Sequence, residues 1–518
     1  MRVIKLMYVL YKIKLLSPIT VLQLIQSIYK HGLNLMALLS FAAKKYGDKV
    51  ALVDDDETVS YKRLLDDSSK LAVALHQNVQ LQSDMKVAFI CKNHSSLVKS
   101  IFASSRLGAE LLFLNTQISK SQFVAIIESQ QLDMIIYDEE YMALIEETKF
   151  QGIKLLTYHH TLPAINNFLQ SPNIDENDRI PRTSSSKLTL FTSGTTGVPK
   201  KAVHKPTLFH YLNPFLSFIT RLKMLNYGTG YIATPIYHGY GIAILLLFIP
   251  LGKKVIIRRT FIAKEACNVI CEHQVEMVTL VPTMLQRMLE HNKNQLTSLN
   301  CIVSGGAKLS SKLVKETFHS LGPVLYNLYG TSEVGLNFIA TPEDLAYSHT
   351  TIGKKICGMD VKVLDRDMNE VEVGKVGQLC IQNDWSMRNK KNQWIETGDL
   401  GYRDANGYYF LCGRTDEMII SGGINTYPIE VENILVNHPL ILDVAVIGID
   451  DDEFGQRLKA FVLPLKDTTI SEKEVLEWLR LRVPKFQLPK EIELVTQLPY
   501  TQLGKLDRKQ LYARSSEY

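Results

Sequence analysis

Leu188-Thr-Leu-Phe-Thr-Ser-Gly-Thr-Thr-Gly-Val-Pro-Lys-Lys201 joins a strand-like apolar run to a loop of hydroxyls and glycines that ends in lysines. Glycines let a backbone approach a phosphate closely. Hydroxyls and backbone N–H groups donate to its oxygens, and a lysine adds charge. The candidate phosphate contacts are Thr192, Ser193, Gly194, Thr195, Thr196, Gly197 and Lys200. The spacing is not Gly-x4-Gly-Lys-Ser/Thr, so this is a different phosphate loop from the one in P-loop NTPases. Taken alone, such a string is equally an ordinary turn.

Working outward, further motifs follow in order. Ala233-Thr-Pro-Ile-Tyr-His-Gly-Tyr-Gly241 leads into an apolar helix, Ile242 to Phe248. Ile302-Val-Ser-Gly-Gly-Ala-Lys308 is a strand ending in two glycines. Tyr326-Asn-Leu-Tyr-Gly-Thr-Ser-Glu-Val-Gly335 combines an aromatic with a carboxylate. Glu396-Thr-Gly-Asp-Leu-Gly401, Cys412-Gly-Arg-Thr-Asp-Glu-Met418 and Ser421-Gly-Gly-Ile-Asn-Thr-Tyr-Pro-Ile-Glu430 follow. Leu498-Pro-Tyr-Thr-Gln-Leu-Gly-Lys-Leu-Asp-Arg508 closes the set. Each residue alone is more often structural. In this order the set resembles the adenylate-forming (acyl-CoA synthetase, AMP-binding) superfamily from about Met36 onward, and within it a fatty acyl-CoA ligase.

The resemblance implies a role for each motif. Gly305, Gly306 and Ala307 form a platform for adenine, and Tyr329, followed by Gly330, stacks on the ring. Thr331 touches the α-phosphate and Glu333 binds Mg2+, for which a carboxylate oxygen is a suitable ligand. Asp399 accepts from the ribose diol, and Arg414 contacts ribose or phosphate. His238 borders the acyl pocket and the thiol tunnel; a lone histidine is otherwise a satisfied structural one. Asp416 is the hinge, although a hairpin ending in a salt bridge would look the same. Gly422 and Gly423 let the backbone close over the pantetheine arm of coenzyme A. Lys505 is the catalytic lysine. Two departures stand out: Lys201 replaces the usual glycine, and the 384–393 stretch is short.

Strands alternating with amphipathic helices before the phosphate loop argue for parallel α/β layers. Thr58 to Tyr61, Lys86 to Cys91, Leu111 to Leu114 and Met134 to Tyr137 read as strands, with helices through Leu75, Ser95 to Leu107 and Lys120 to Ser129. Residues 165–186 read as a polar connection. The expected fold is α/β. A basic amphipathic arm spans 1–35, and a large adenylation domain of αβ layers with a small β region spans 36–415. A small mobile α/β lid spans 416–518, built on helices from Glu430 and Glu472 and strands from Val444 and Leu458.

Charge bears on partners. Of the 58 Lys and Arg and the 53 Asp and Glu, residues 1–50 hold eight bases and one acid, Asp48. The main body is nearly neutral and gives no support for nucleic-acid binding. Ser17 and Pro18 suit a helix start. Gln23, Gln26, Ser27, Lys30, His31 and Asn34 share one arc; Val21, Leu22, Leu24, Ile25, Ile28, Tyr29, Leu35 and Met36 take the other. Two readings stand: a helix packed on its own domain, or a basic arm on an anionic membrane surface. The apolar runs are too short to span a bilayer, and no signal-peptide cleavage site follows. The expected location is the cytoplasm, with peripheral contact at the inner face of the membrane, and a homodimer stays open. Seven scattered cysteines, none in Cys-x2-Cys, are expected to be buried thiols, and Tyr158-His159-His160 a loop.

The expected activity is ATP-dependent ligation of a carboxylic acid, a medium- or long-chain fatty acid, to coenzyme A through an acyl-adenylate. The substrates and cofactors are ATP, Mg2+ and coenzyme A. An aryl acid, loading onto a carrier protein, and a non-catalytic nucleotide-binding scaffold are the alternatives.

Overall fold

Apolar runs of four or five residues set the architecture, and several are buried at every position. The computed structural model describes residues 11, 17–170, 180–183, 187–192, 200–204, 212–331, 333–386, 393–466, 468–501 and 505–515. The chain divides into two units. One holds Met1–Thr279, Asn294–Cys301 and Asp384–Asn389; the other holds Leu280–Lys293, Ile302–Asn383 and Lys390–Tyr518.

In the first unit, Ile153–Leu156, Met134–Tyr137, Lys86–Ile90, Glu110–Phe113 and Leu188–Thr192 lie side by side and parallel. Lys200–His204 closes the edge antiparallel, with Thr192 opposite Lys200. Glu110–Phe113 is buried at every position, as expected of a strand covered on both faces. Helices Ser95–Arg106 and Lys120–Gln130 make crossovers; the second starts with a reciprocal Ser119–Gln122 capping box. Phe123, Ile135, Leu156 and Phe191 meet in this core. A second parallel set joins Val50–Val53, Lys254–Ile257 and Thr229–Ile232.

In the second unit, strand Cys301–Gly305, from Ile302 onward, runs parallel to Leu325–Thr331, and antiparallel strands Gly335–Ala340 and Thr351–Lys355 follow. Met359–Leu364, Gly377–Asn383, Ile395–Arg403 and Tyr409–Arg414 form an antiparallel meander. Farther along, Ile441–Asp451 pairs antiparallel with Gly455–Pro464, which takes Glu491–Leu494 on its far side in parallel. Side chains alternate across these strands. Val444, Val446, Ala460 and Val462 pack under helices Pro428–Leu435 and Glu472–Arg480. Ala445, Ile447 and Phe461 pack with Val495, Leu498 and Leu511 on the other face. The period of two divides one apolar strand pair between two cores.

The structure corrects three readings. The polar connection contains a helix, Ile165–Gln170, because Ile165 finds a buried site. Cys271 and Cys357 are exposed, while the other five cysteines are buried. The faces of helix Pro18–His31 are partly reversed. Ser27 and His31 of the polar arc are buried, while Leu22, Ile25 and Tyr29 of the apolar arc are exposed. Small and internally bonded side chains allow the close approach of helix Leu35–Tyr46: Ser27 donates to its own helix at Gln23 O, and the Asn34 amide bonds His31 O. Burial pushes His31 down to about 3, with the neighbouring cations Arg106, Lys30 and Lys44 adding to the shift, so the ring is neutral.

Phe461 has no exposed surface. Phe461→Ala is expected to destabilise the C-terminal sheet by about 3–5 kcal/mol, with Phe461→Leu costing markedly less. Urea denaturation followed by circular dichroism measures both.

Candidate active site

Three strands bring a tyrosine, an aspartate and an arginine together. Asp399 lies on Ile395–Arg403, in register with Arg414 on the antiparallel strand Tyr409–Arg414. Tyr329, on Leu325–Thr331, donates its hydroxyl to Asp399 Oδ2 at 2.5 Å. Arg414 Nη1 donates to Asp399 Oδ1 at 3.1 Å, and Arg414 Nε to Asp416 Oδ1 at 2.9 Å. One guanidinium therefore links the aspartate of the central strand to the aspartate of the proposed hinge. The hairpin with a terminal salt bridge is present as geometry.

Burial raises the Asp399 carboxyl above the usual carboxylate range; the Tyr329 hydroxyl, Arg414 and Lys505 pull the other way without cancelling it. Burial also raises the Tyr329 phenol well above its ordinary value, reinforced by the Asp399 charge. The Tyr329 ring packs against Phe338, with centroids 5.6 Å apart.

After Tyr329 the chain turns into Gly335–Ala340 through a register shift at Gly330. A Cβ on Gly330 would lie 2.3 Å from Gly335 O, so only glycine fits. Thr331 Oγ1 accepts from the backbone N–H of Glu333 at 3.3 Å and of Val334 at 3.4 Å, which shapes this turn. Glu333 is half-buried, and its carboxylate has no hydrogen-bonding or ion-pair partner among the described residues. A carboxylate oxygen is a fitting ligand for Mg2+. Gly305 ends the strand Cys301–Gly305; Gly306 and Ala307 leave it, Gly306 exposed and Ala307 half-buried.

Lys505 is tied to Thr501, and its neighbour Leu506 to Tyr500. Thr501 N–H bonds Lys505 O at 2.8 Å, Lys505 N–H bonds Thr501 Oγ1 at 3.3 Å, and Tyr500 bridges to Leu506. The Tyr500 hydroxyl bonds Asp443. Lys505 is exposed by surface area, yet enough protein surrounds it that desolvation lowers its ammonium pKa. Repulsion from Arg414 adds to this, while Asp399 and Glu333 oppose it. Lys505, Asp399, Arg414 and Glu333 thus share one electrostatic neighbourhood. Gly422 and Gly423, at φ +56° and +78°, make the two-residue turn between Ile419–Ser421 and Ile424–Thr426.

Other expected residues stand in the first unit. His238 precedes helix Gly239–Phe248, with its ring 4.5 Å from that of Tyr237. The helix is buried around most of its circumference, with Ala243 exposed. Ser193, Gly194, Thr195, Thr196 and Gly197 lie outside the described residues, as do the 387–392 stretch and Gly504. The backbones of Thr192 and Lys200 end the two antiparallel strands on either side of that loop.

Sequence reasoning missed the residues that hold the C-terminal segment. Buried Glu432 takes Lys308 Nζ at 3.2 Å and Arg508 Nη2 at 3.1 Å, and Arg508 Nε also pairs with Glu417 at 2.9 Å. Ser311 bonds Asn437 at 3.1 Å, and Lys312 Nζ donates to Ile441 O at 2.8 Å. The available signal was phase: Glu432 falls on the buried side of its helix with Val431 and Leu435.

Because burial raises the folded-state pKa of Asp399, its stabilising contribution is complete below the unfolded pKa and lost as pH rises through the folded one. Asp399→Asn is therefore expected to melt no lower than the parent at neutral pH. Any advantage should shrink in acid, where the parent carboxyl is itself protonated. Thermal melts across pH check this.

The AMP-binding enzyme model matches residues 39–389, and the AMP-binding enzyme C-terminal domain model matches residues 430–505. The 2-succinylbenzoate–CoA ligase of Bacillus subtilis (strain 168) is 26% identical over 476 residues, covering 90% of this chain and 95% of that protein. The fatty acid–[acyl-carrier-protein] ligase ScoC of Streptomyces coeruleorubidus is 25% identical over 503 residues, covering 93% and 96%. The structure of o-succinylbenzoate CoA synthetase from Bacillus subtilis with its acyl-adenylate intermediate superposes with a TM-score of 0.79 at 25% identity, covering 92% and 97%. With both family models matched in order and the expected α/β architecture in place, this chain belongs to the AMP-binding enzyme family, the adenylate-forming superfamily.

Proposed function

We propose that this chain couples ATP cleavage to the activation of a carboxylic acid and passes the acyl group to the thiol of coenzyme A. It is an AMP-forming acid–thiol ligase. A carboxylate oxygen attacks the α-phosphorus of ATP, the bond to pyrophosphate breaks, and an acyl-adenylate forms. The thiol then displaces AMP. The observation that supports this reading is the Tyr329–Asp399–Arg414 cluster, whose charges, with that of Glu333, act on Lys505.

In this reading Asp399 accepts from the ribose hydroxyls, exchanging its bond from Tyr329 for bonds from the nucleotide. Gly305, Gly306, Ala307 and Tyr329 border the adenine. Thr331 and the loop from Thr192 to Gly197, with Lys200, hold phosphate oxygens. Mg2+ held at Glu333 would neutralise phosphate charge. Lys505 donates to the oxygens between carboxylate and α-phosphate, where negative charge gathers; one preorganised donor of this kind is worth about 3 kcal/mol. After adenylation the segment from Asp416 onward turns, withdrawing Lys505, and Gly422–Gly423 closes over the pantetheine arm. His238 borders the acyl group.

The acid we propose is a medium- or long-chain fatty acid. Helix Gly239–Phe248 is apolar and largely buried, and each buried CH2 adds about 0.8 kcal/mol without a polar contact. An aryl acid is the second reading, favoured by the similarity to 2-succinylbenzoate–CoA ligase. Pyrophosphate exchange across a panel of fatty and aryl acids, followed by thioester assays with coenzyme A and with a carrier protein, separates these. Exchange with no acid on the panel would leave only a nucleotide-binding scaffold.

Lys505→Ala is expected to slow adenylation by about 100-fold or more and to spare thioester formation from supplied acyl-adenylate; equal loss of both steps overturns the assignment. The charged ammonium is the active form, so the depressed pKa of Lys505 places the alkaline limb of adenylation below the ordinary lysine range. Lys505→Arg should move that limb upward in a pH–rate profile.

A further inference from the structure

Helix Pro18–His31 turns its large apolar side chains to solvent. Ile19, Leu22, Ile25 and Tyr29 are 69%, 54%, 57% and 67% exposed, and Leu33 beyond the helix is 59% exposed. Their spacing of three and four residues puts them on one stripe. The side facing helix Leu35–Tyr46 buries Thr20, Ser27 and His31 instead. Water alone favours the opposite arrangement, so this stripe is suited to an apolar covering.

Charge identifies that covering. The Arg182 guanidinium lies 3.8 Å from the centre of the Tyr29 ring. Lys44 Nζ reaches Gln26 Oε1, 3.1 Å away, and Lys30 is close enough to help depress the Lys44 pKa. Lys30, Lys44 and Arg182 are exposed, and none pairs with a carboxylate among the described residues. In sequence, Arg2, Lys5, Lys12 and Lys14 add four cations and no acid before the helix. A second copy of the chain is a poor occupant, because a two-fold contact would set these cations against themselves. An anionic surface with an apolar interior satisfies both the stripe and its basic border.

We propose that the outward stripe Ile19–Leu22–Ile25–Tyr29–Leu33, bordered by Lys30, Lys44 and Arg182, docks the protein in the plane of an anionic phospholipid bilayer. The apolar side chains enter the headgroup–acyl boundary, Tyr29 lies at the interface, and the cations pair with lipid phosphates. Substrate chemistry is not needed for this contact.

The full-length chain would be floated with vesicles of phosphatidylcholine alone or with about 30% phosphatidylglycerol, which supplies the surface charge. Two doublets, Leu22→Ser with Ile25→Ser and Lys30→Glu with Lys44→Glu, alter only exposed side chains. Circular dichroism and melting temperature confirm that each is folded. The parent is expected to float with the anionic vesicles. Either doublet should reduce the bound fraction about tenfold or more, and high salt should weaken what binding remains. A parent that stays unbound, or equal partition of parent and doublets, overturns the proposal. So does a parent dimer in gel filtration that the Leu22/Ile25 doublet converts to monomer, which would assign the stripe to a second copy.

Discussion

A buried carboxylate shared between a phenol and a guanidinium holds the second unit's chemistry in place. Asp399 sits where three strands converge, and without partners it would be costly to ionise there. Tyr329 supplies one donor from the neighbouring parallel–antiparallel junction, and Arg414 supplies another from the adjacent strand. The same arginine continues to Asp416, so the order of the core reaches the turn that leads into the C-terminal segment.

The C-terminal segment is held by contacts of a different character. Glu432 is buried and acts as the acceptor for Lys308, Arg508 and the Val446 amide. These partners keep the Glu432 carboxylate below the usual range despite its burial. Polar links of this sort specify one geometry but can be exchanged for others more readily than an apolar interface of the same extent. Such links would suit the proposed movement of the segment that carries Lys505.

The same trade between apolar burial and polar positioning explains what was legible in advance. The strands Lys86–Ile90 and Met134–Tyr137 and the helix Ser95–Arg106 were readable almost to the residue, because each is a continuous apolar or periodic run bounded by polar breaks. The motif residues were named from their resemblance to a known family; among them, Gly330 is one whose identity the backbone also demands, since a Cβ there would meet Gly335 O. Helix Ile165–Gln170 was obscured by its polar flanks. The face of helix Pro18–His31 was misjudged because an amphipathic pattern shows where the apolar side lies, not which side the next helix covers.

The amino-acid sequence by itself determined the α/β alternation, the order of the motifs, and the residue types available at each point of the chemistry, since these follow from local periodicity and from side-chain chemistry. Only the tertiary structure decided that Tyr329, Arg414 and Asp399 bond to one another, that Glu432 gathers Lys308 and Arg508, and that a leucine–isoleucine stripe faces outward. Those outcomes depend on which distant segments come within a few ångströms. Long-range packing sets that proximity by burying the most area overall, and no local pattern encodes it.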